Sequence, residues 1–293
     1  MIKNIIKIGL VSILCNSLYA GEVQYGHGTF EMNGGFIGLT QDITADINTY
    51  SMIEQHKNIA SSTWYYKYNF TWYDSDDMIQ AQDTINSYSN GFLQNPVTKT
   101  TPSIDYRLQG LDLNVVLGKD LFHEDENNYF GAGILLGLSI PWIDSKKSDS
   151  NNDSTSDNAM NAMKDSKTKM LTYKIGPSIT ARKSLNKYFT VYGSATYAYQ
   201  TGSFKNDYAK TDLNVDGIFQ EYDFGIRFQP VSIDYEFGWL TISPRLYATL
   251  GYRYTSWDLN DIAMDVTGIR TTVNQIDFNM NSSITYVGIG YSF

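Results

Sequence analysis

Apolar and polar residues alternate with a period of two along most of this chain. In 64–73 one face reads Trp64, Tyr66, Tyr68, Phe70 and Trp72, and the other reads Tyr65, Lys67, Asn69, Thr71 and Tyr73. An extended strand turns successive side chains to opposite sides, so this spacing predicts a strand with one apolar and one wet face. The pattern recurs. Phe189, Val191, Ala195, Tyr197 and Tyr199 oppose Thr190, Ser194, Thr196 and Gln200, and Tyr222, Phe224, Ile226 and Phe228 oppose Asp223, Arg227 and Gln229. Leu246, Ala248, Leu250, Tyr252 and Tyr254 oppose Thr249, Arg253 and Thr255, and Leu171, Tyr173, Ile175 and Ile179 oppose Lys174, Ser178, Thr180 and Arg182. Phe130, Ala132, Ile134, Leu136, Leu138 and Ile140 oppose mostly glycines, and Leu111, Leu113, Val115 and Leu117 oppose Asp112 and Asn114.

Charges stay off the apolar faces. A Lys or Arg at the midplane of a membrane barrel costs ~2–4 kcal/mol, which Lys67, Lys174, Arg182, Arg227 and Arg253 avoid by pointing inward. A strand of about ten residues rises ~33 Å, and a tilt near 40° leaves ~25 Å of height, the apolar band of such a barrel. A soluble β-sandwich also alternates. The length of these segments and the Tyr and Trp residues gathered near their ends favour the membrane.

The first twenty residues read differently. Lys3 and Lys7 precede an apolar run over 8–15, and Leu18, Tyr19 and Ala20 close the stretch on a small residue. This is the pattern of a secretory signal peptide, with the mature chain expected to begin at Gly21. Cys15, the one cysteine, lies inside it, so disulfide, thiolate and cysteine–metal chemistry are not expected of the mature protein. The formal charge of −9 becomes −11 without Lys3 and Lys7, which excludes nucleic acid as a partner class. Past the signal no run of eighteen apolar residues occurs, so any membrane crossing is made by strands.

The chain ends Tyr286-Val287-Gly288-Ile289-Gly290-Tyr291-Ser292-Phe293, with Val287, Ile289, Tyr291 and Phe293 on one face. With the signal and the alternating segments, this resembles Gram-negative outer-membrane β-barrel proteins, whose last strand ends in Phe as an assembly signal. The resemblance implies an all-β, transmembrane antiparallel up-and-down barrel in the outer membrane. It also implies contact with lipid and lipopolysaccharide, and insertion by the barrel-assembly machinery.

Two phase changes interrupt the alternation. Ile276, Phe278, Met280 and Ile284 keep one parity and 287–293 the other, which a bulge near Thr285 or Tyr286 reconciles. Ile104, Tyr106 and Leu108 are out of phase with 111–117, and a bulge near Gly110 would keep Arg107 inward. Counting back from Phe293 gives strands near 62–73, 104–118, 128–142, 169–183, 187–203, 213–229, 244–257 and 274–293. Residues 28–39 and a partner from 231–243 would raise the count from eight to ten. Segment 21–60 stands apart: 47–59 carries a weak helical pattern through Tyr50, Ile53 and His56, fit for a plug or a periplasmic segment. The Ser/Asp/Asn/Lys-rich stretch 144–167 predicts a disordered surface loop, either solvent padding or a contact for host or phage.

Candidate chemistry is sparse. His27, His56 and His123 fall near the periplasmic end, with no nucleophile spaced to use them. Asp74, Asp76, Asp77, Asp258, Asp261 and Asp265 form an acidic outer rim. Asp212, Asn214 and Asp216 before Gly217 fit the start of a calcium loop weakly, without flanking helices. No cofactor is expected. The candidates for the lumen are Lys67, Arg107, Asp112, Lys174, Arg182, Asp223, Arg227, Arg253 and Asp277, which either pair into a filling network or line a pore. The expected function is non-enzymatic, as a narrow porin-like pore or a surface-structural barrel. An outer-membrane hydrolase and an adhesin acting through the outer loops are the rivals.

Overall fold

The structure is a computed structural model, and it describes residues 21–34, 43–57, 63–80, 84–87, 97–100, 104–122, 128–147, 167–206, 212–231, 233–237, 240–266, 269–272 and 278–291. The expected signal 1–20, His123, Asp277 and Phe293 lie outside them, as does 148–166 of the expected loop 144–167. Ten long strands make the wall: β1 (Gly21–Gly34), β2 (Ile43–Lys57), β3 (Trp64–Ser75), β4 (Ile104–Asp120) and β5 (Tyr129–Lys147). They continue with β6 (Lys167–Ser184), β7 (Phe189–Asn206), β8 (Asp212–Phe228), β9 (Leu246–Val266) and β10 (Phe278–Tyr291). Each pairs antiparallel with its sequence neighbours, and β1 pairs with β10, so the sheet closes without an edge. Closure removes the open sheet edge that lipid could not hydrogen-bond.

Segment 47–59, expected to be helical, instead supplies most of β2, bonded along its length to β1 and β3. The Tyr50–Ile53–His56 spacing was a coincidence of period three inside a strand whose inward face reads Ile47, Thr49 and Ser51. Residues 21–34 and 43–57 therefore complete the wall, whereas the described part of 231–243 pairs as a short hairpin of Tyr235–Phe237 and Leu240–Ile242. Connections at the end holding Gly21 and Tyr291 are mostly short and those at the other end long, which marks the latter as the outer end.

Outward residues of the lower wall are apolar and exposed: Leu117, Ile134, Leu136, Ile175, Ile179, Phe224, Ile226, Leu250, Val287 and Ile289. No soluble barrel of this size exposes such a belt. Aromatic pairs fringe it, with Phe189–Phe228 at 5.2 Å below and Trp72–Trp142 at 5.2 Å and Tyr25–Tyr50 at 5.4 Å above. Inside this belt the wall is largely polar, with Val116 and Leu135 among the exceptions. Higher up the polarity inverts: Phe30, Met32, Ile47, Leu108, Met170, Phe204, Val215, Phe219, Trp257, Leu259, Met280 and Ile284 form one buried cluster in the lumen.

That inversion, and not a bulge, accounts for both phase changes. The ladders through β4 and β10 run without a register shift. Tyr106 and Leu108 are buried inside while Leu113, Val115 and Leu117 are exposed outside. Likewise Met280, Ile284 and Tyr286 face in, and Val287, Ile289 and Tyr291 face out. The one shift among the described barrel pairings is at Asp216/Gly217, opposite Asn260.

Inward tyrosines are accommodated by glycines directly across the ladder: Tyr65 with Gly118, Tyr73 with Gly110, Tyr192 with Gly225, Tyr247 with Gly290 and Tyr286 with Gly251. A Cβ at any of these glycines would stand 2.3–2.5 Å from the ring or its hydroxyl. The missing side chain lets each ring lie against the wall and cover backbone.

Candidate functional site

The mid-lumen holds the densest chemistry. Arg253, buried on β9, donates to Asp223 on β8 from Nε at 3.3 Å and Nη2 at 3.0 Å. The same guanidinium reaches Gln24 on β1 at 2.9 Å and Ser51 on β2 at 3.2 Å. Tyr286 on β10 donates to the other oxygen of Asp223 at 2.5 Å and shares a 2.8 Å hydrogen bond with Tyr192 on β7. One side chain thus ties four wall strands, with Tyr286 and Tyr192 adding two more. Such a charge-assisted network is rigid because every partner is held by its own strand.

Around it, Lys174 on β6 sits 3.1 Å from both oxygens of Asp112 on β4, which also accepts from Ser139, and its ammonium lies 3.8 Å from the Phe219 ring centre. Glu22 accepts from Gln24 at 2.7 Å and from Thr249 at 2.5 Å. Nearer the terminal end, Arg227 stacks 3.6 Å over Tyr247 and Arg182 lies 5.4 Å from the Tyr129 ring. Lys67 points inward and reaches Ser194 at 3.4 Å.

Among described side chains the interior therefore carries Glu22, Asp112, Asp120, Glu221 and Asp223 against Lys67, Lys174, Arg182, Arg227 and Arg253. Five of each sign leave the described lumen without an excess of either charge. Among the described residues, two lumen cavities flank the Arg253–Asp223 pair. A cavity of about 30 Å³ lies among Phe30, Ile47, Leu108, Glu221, Arg253 and Trp257, and one of about 40 Å³ among Glu22, Lys67, Arg182, Asp223 and Arg227. Each has room for only a few water molecules.

Of the residues expected in the lumen, Lys67, Asp112, Lys174, Arg182, Asp223, Arg227 and Arg253 face it, and Asp277 lies outside the described residues. Arg107 does not face it. Without a bulge it falls on the outward face of β4, where its guanidinium clamps Asp74 at 2.8 and 2.7 Å. Gln109 joins Asp74 at 2.9 Å, so the first acid of the expected rim is part of an ion pair on the outer wall. Asn214 and Asp216 lie on one outward face of an extended strand that Asp212 begins. An extended backbone does not curl around an ion as a calcium loop does. His27 also faces outward, 3.2 Å from Asn48, and the side chain of His56 is not among those described. Val287, Ile289 and Tyr291 present the expected outward row.

The sequence reading missed Glu22, Gln24, Ser51, Tyr286 and Glu221. The first three belong to strands left unassigned. Tyr286 fell at the expected bulge and was given no side, and a strict period of two through 280–290 puts it inside.

No protein-family model matches this sequence, and no curated protein matches it significantly. Solved structures do match at low identity. The outer membrane protease OmpT from Escherichia coli is 10% identical, covers 94% of this chain and 97% of its own, and gives a TM-score of 0.47. The translocator domain of the autotransporter NalP from Neisseria meningitidis is 8% identical, with coverages of 98% and 93% and a TM-score of 0.40. The attachment invasion locus protein Ail of Yersinia pestis is 10% identical, with 92% and 99% coverage and a TM-score of 0.29. At these scores no activity passes from them to this chain. Closure of ten strands, the exposed apolar belt and the polar mid-lumen make it a transmembrane β-barrel.

Proposed function

We propose that this protein is a sealed, non-catalytic barrel that serves the cell surface as a structural element through its outer end. It is not an open pore on this reading. The observation that carries it is Arg253, whose guanidinium bridges β8, β9, β1 and β2 across the mid-lumen. The equal count of inward acids and bases supports the same reading, because a pore that sorts ions keeps an excess of one sign. Asp74, the acid best placed to activate water at the outer rim, is held by Arg107 and Gln109, which favours a structural over a hydrolytic role. Lipopolysaccharide is the partner this reading calls for. Lys169 and Lys205 stand side by side and exposed on the outer face of β6 and β7, at the height where lipid phosphates would lie.

The test is single-channel recording of the refolded chain in a planar bilayer, with heat-modifiable migration as proof of insertion. An inserted barrel without steady current supports the sealed reading. Sustained, ion-selective openings would overturn it and restore the pore.

A further inference from the structure

The upper edge of the lipid-facing belt is not level. One ladder row can be followed once around the wall: Phe224, Tyr252, Thr285, His27, Asn48, Asp74, Gln109, Trp142, Lys169, Lys205 and back to β8 at Asp212. From Phe224 to Lys205 its members lie on the outward parity. The row returns twelve residues above its start, from 224 to 212. It therefore climbs roughly 1.2 residues, or about 3 Å, per strand at the usual tilt.

From Thr285 onward this row is polar apart from Trp142, so the upper edge of the belt climbs with it. From His27 on β1 to Lys169 on β6 the edge rises roughly 15 Å. Corrected for the climb, His27 stands level with Leu113 and Ile175, which are exposed apolar residues of the opposite wall. Thr29 stands level with Tyr173, which is 59% exposed. At one depth the β4–β6 wall is built for hydrocarbon, while the β10–β1–β2 wall presents His27, Thr29, Asn48, Ser283 and Thr285. Glu54, accepting from the Tyr68 hydroxyl, lies on the outward face of β2 lower still. Polar groups in hydrocarbon need partners. The lower belt edge shows no matching slope, since Trp64, Phe130, Phe189, Phe228 and Tyr291 fringe it on β3, β5, β7, β8 and β10, so tilting cannot level both edges.

We infer that the β10–β1–β2 wall is the contact face of a dimer of this chain. A two-fold axis along the membrane normal brings equal heights of two copies together, so a polar band meets a polar band. Imidazole, amide and hydroxyl groups each donate and accept, so the band is complementary to itself. β1 and β10 are each 14 residues long. Three strands of that length give a face of roughly 14 by 35 Å, about 500 Å² per copy. The resulting 1,000 Å² or so for the pair reaches the lower bound for a specific interface.

Cysteine cross-linking in outer membranes tests this, on the full chain with Cys15→Ser and a short bismaleimide. Thr29→Cys and Ser283→Cys should each give a species of twice the mass, and Tyr173→Cys, level with Thr29 on the opposite wall, should stay monomeric. Adding Ser283→Leu and Thr285→Leu to Thr29→Cys separates a dimer face from a lipid face. It should lower the yield several-fold, whereas a lipid-facing wall would be indifferent. Monomeric Thr29→Cys and Ser283→Cys, equal yields at Thr29 and Tyr173, or a yield unmoved by the leucines would each overturn the inference.

Discussion

Arg253→Ala is the perturbation that probes the lumen most directly. In the native barrel the guanidinium gives two hydrogen bonds to Asp223 and one each to Gln24 and Ser51. Truncation leaves the Asp223 carboxylate buried, with the Tyr286 hydroxyl still donating to it. Breaking a buried ion pair from one side costs about 3–5 kcal/mol, because the surviving charge loses its compensation without regaining water. Asp223→Ala should cost a similar amount for the mirror reason. The double variant carries neither charge, so it should be no worse than the weaker single variant by more than about 1 kcal/mol, the non-additivity expected of contacting residues. The assay is reversible urea unfolding of protein refolded into lipid vesicles, followed by tryptophan fluorescence. Trp257 in the cluster above the network is well placed to report it. Single-variant costs that simply add, or an Arg253→Ala barrel within about 0.5 kcal/mol of the native one, would refute the view that this pair joins the wall across the lumen.

Arg107→Ala should cost no more than about 1 kcal/mol in the same unfolding assay and leave conductance unchanged, because its pair with Asp74 is partly exposed on the outer face. Gly251→Ala should destabilise by about 1–3 kcal/mol, since the added methyl would meet the Tyr286 ring at 2.4 Å and push its hydroxyl from Asp223; unfolding of Gly251→Ala beside Gly251→Ala/Tyr286→Phe reads the effect. Leu136→Arg places a cation on the lipid face, where Leu136 is 49% exposed, and should cost about 2–4 kcal/mol in vesicles. An unchanged Leu136→Arg barrel would mean that this face does not meet hydrocarbon.

The fold class was legible because a lipid-facing strand must keep one parity apolar, and seven segments did so without exception for charge. Strands β1 and β2 were harder for a physical reason. Their outward faces carry His27, Thr29, Glu31, Asn48 and Asp46, so the contrast between faces that advertises a membrane strand is weak there. Most lumen charges were read correctly from parity within such segments. Arg107 was misplaced and Tyr286 missed through one shared step, in which each change of apolar phase was taken as a bulge.

The phase change carries more information than a bulge would. A strand crossing from hydrocarbon into water keeps its geometry, while the surroundings of its two faces change. In the membrane the outward side must be apolar and the interior can hold ions. Above it the outward side must be wetted, and the interior is the one place left to bury apolar surface. Met280 and Ile284 inside with Asn281 and Ser283 outside, then Val287 and Ile289 outside with Gly288 and Gly290 inside, record that crossing on one unbroken strand. The same crossing is written on β4 by Leu108 and Leu113. It follows that in such a chain the phase change marks the membrane surface, strand by strand. Joined through the ladder, those marks trace an edge that climbs from β10 toward β6, and its low side is the wall against which the second copy is placed.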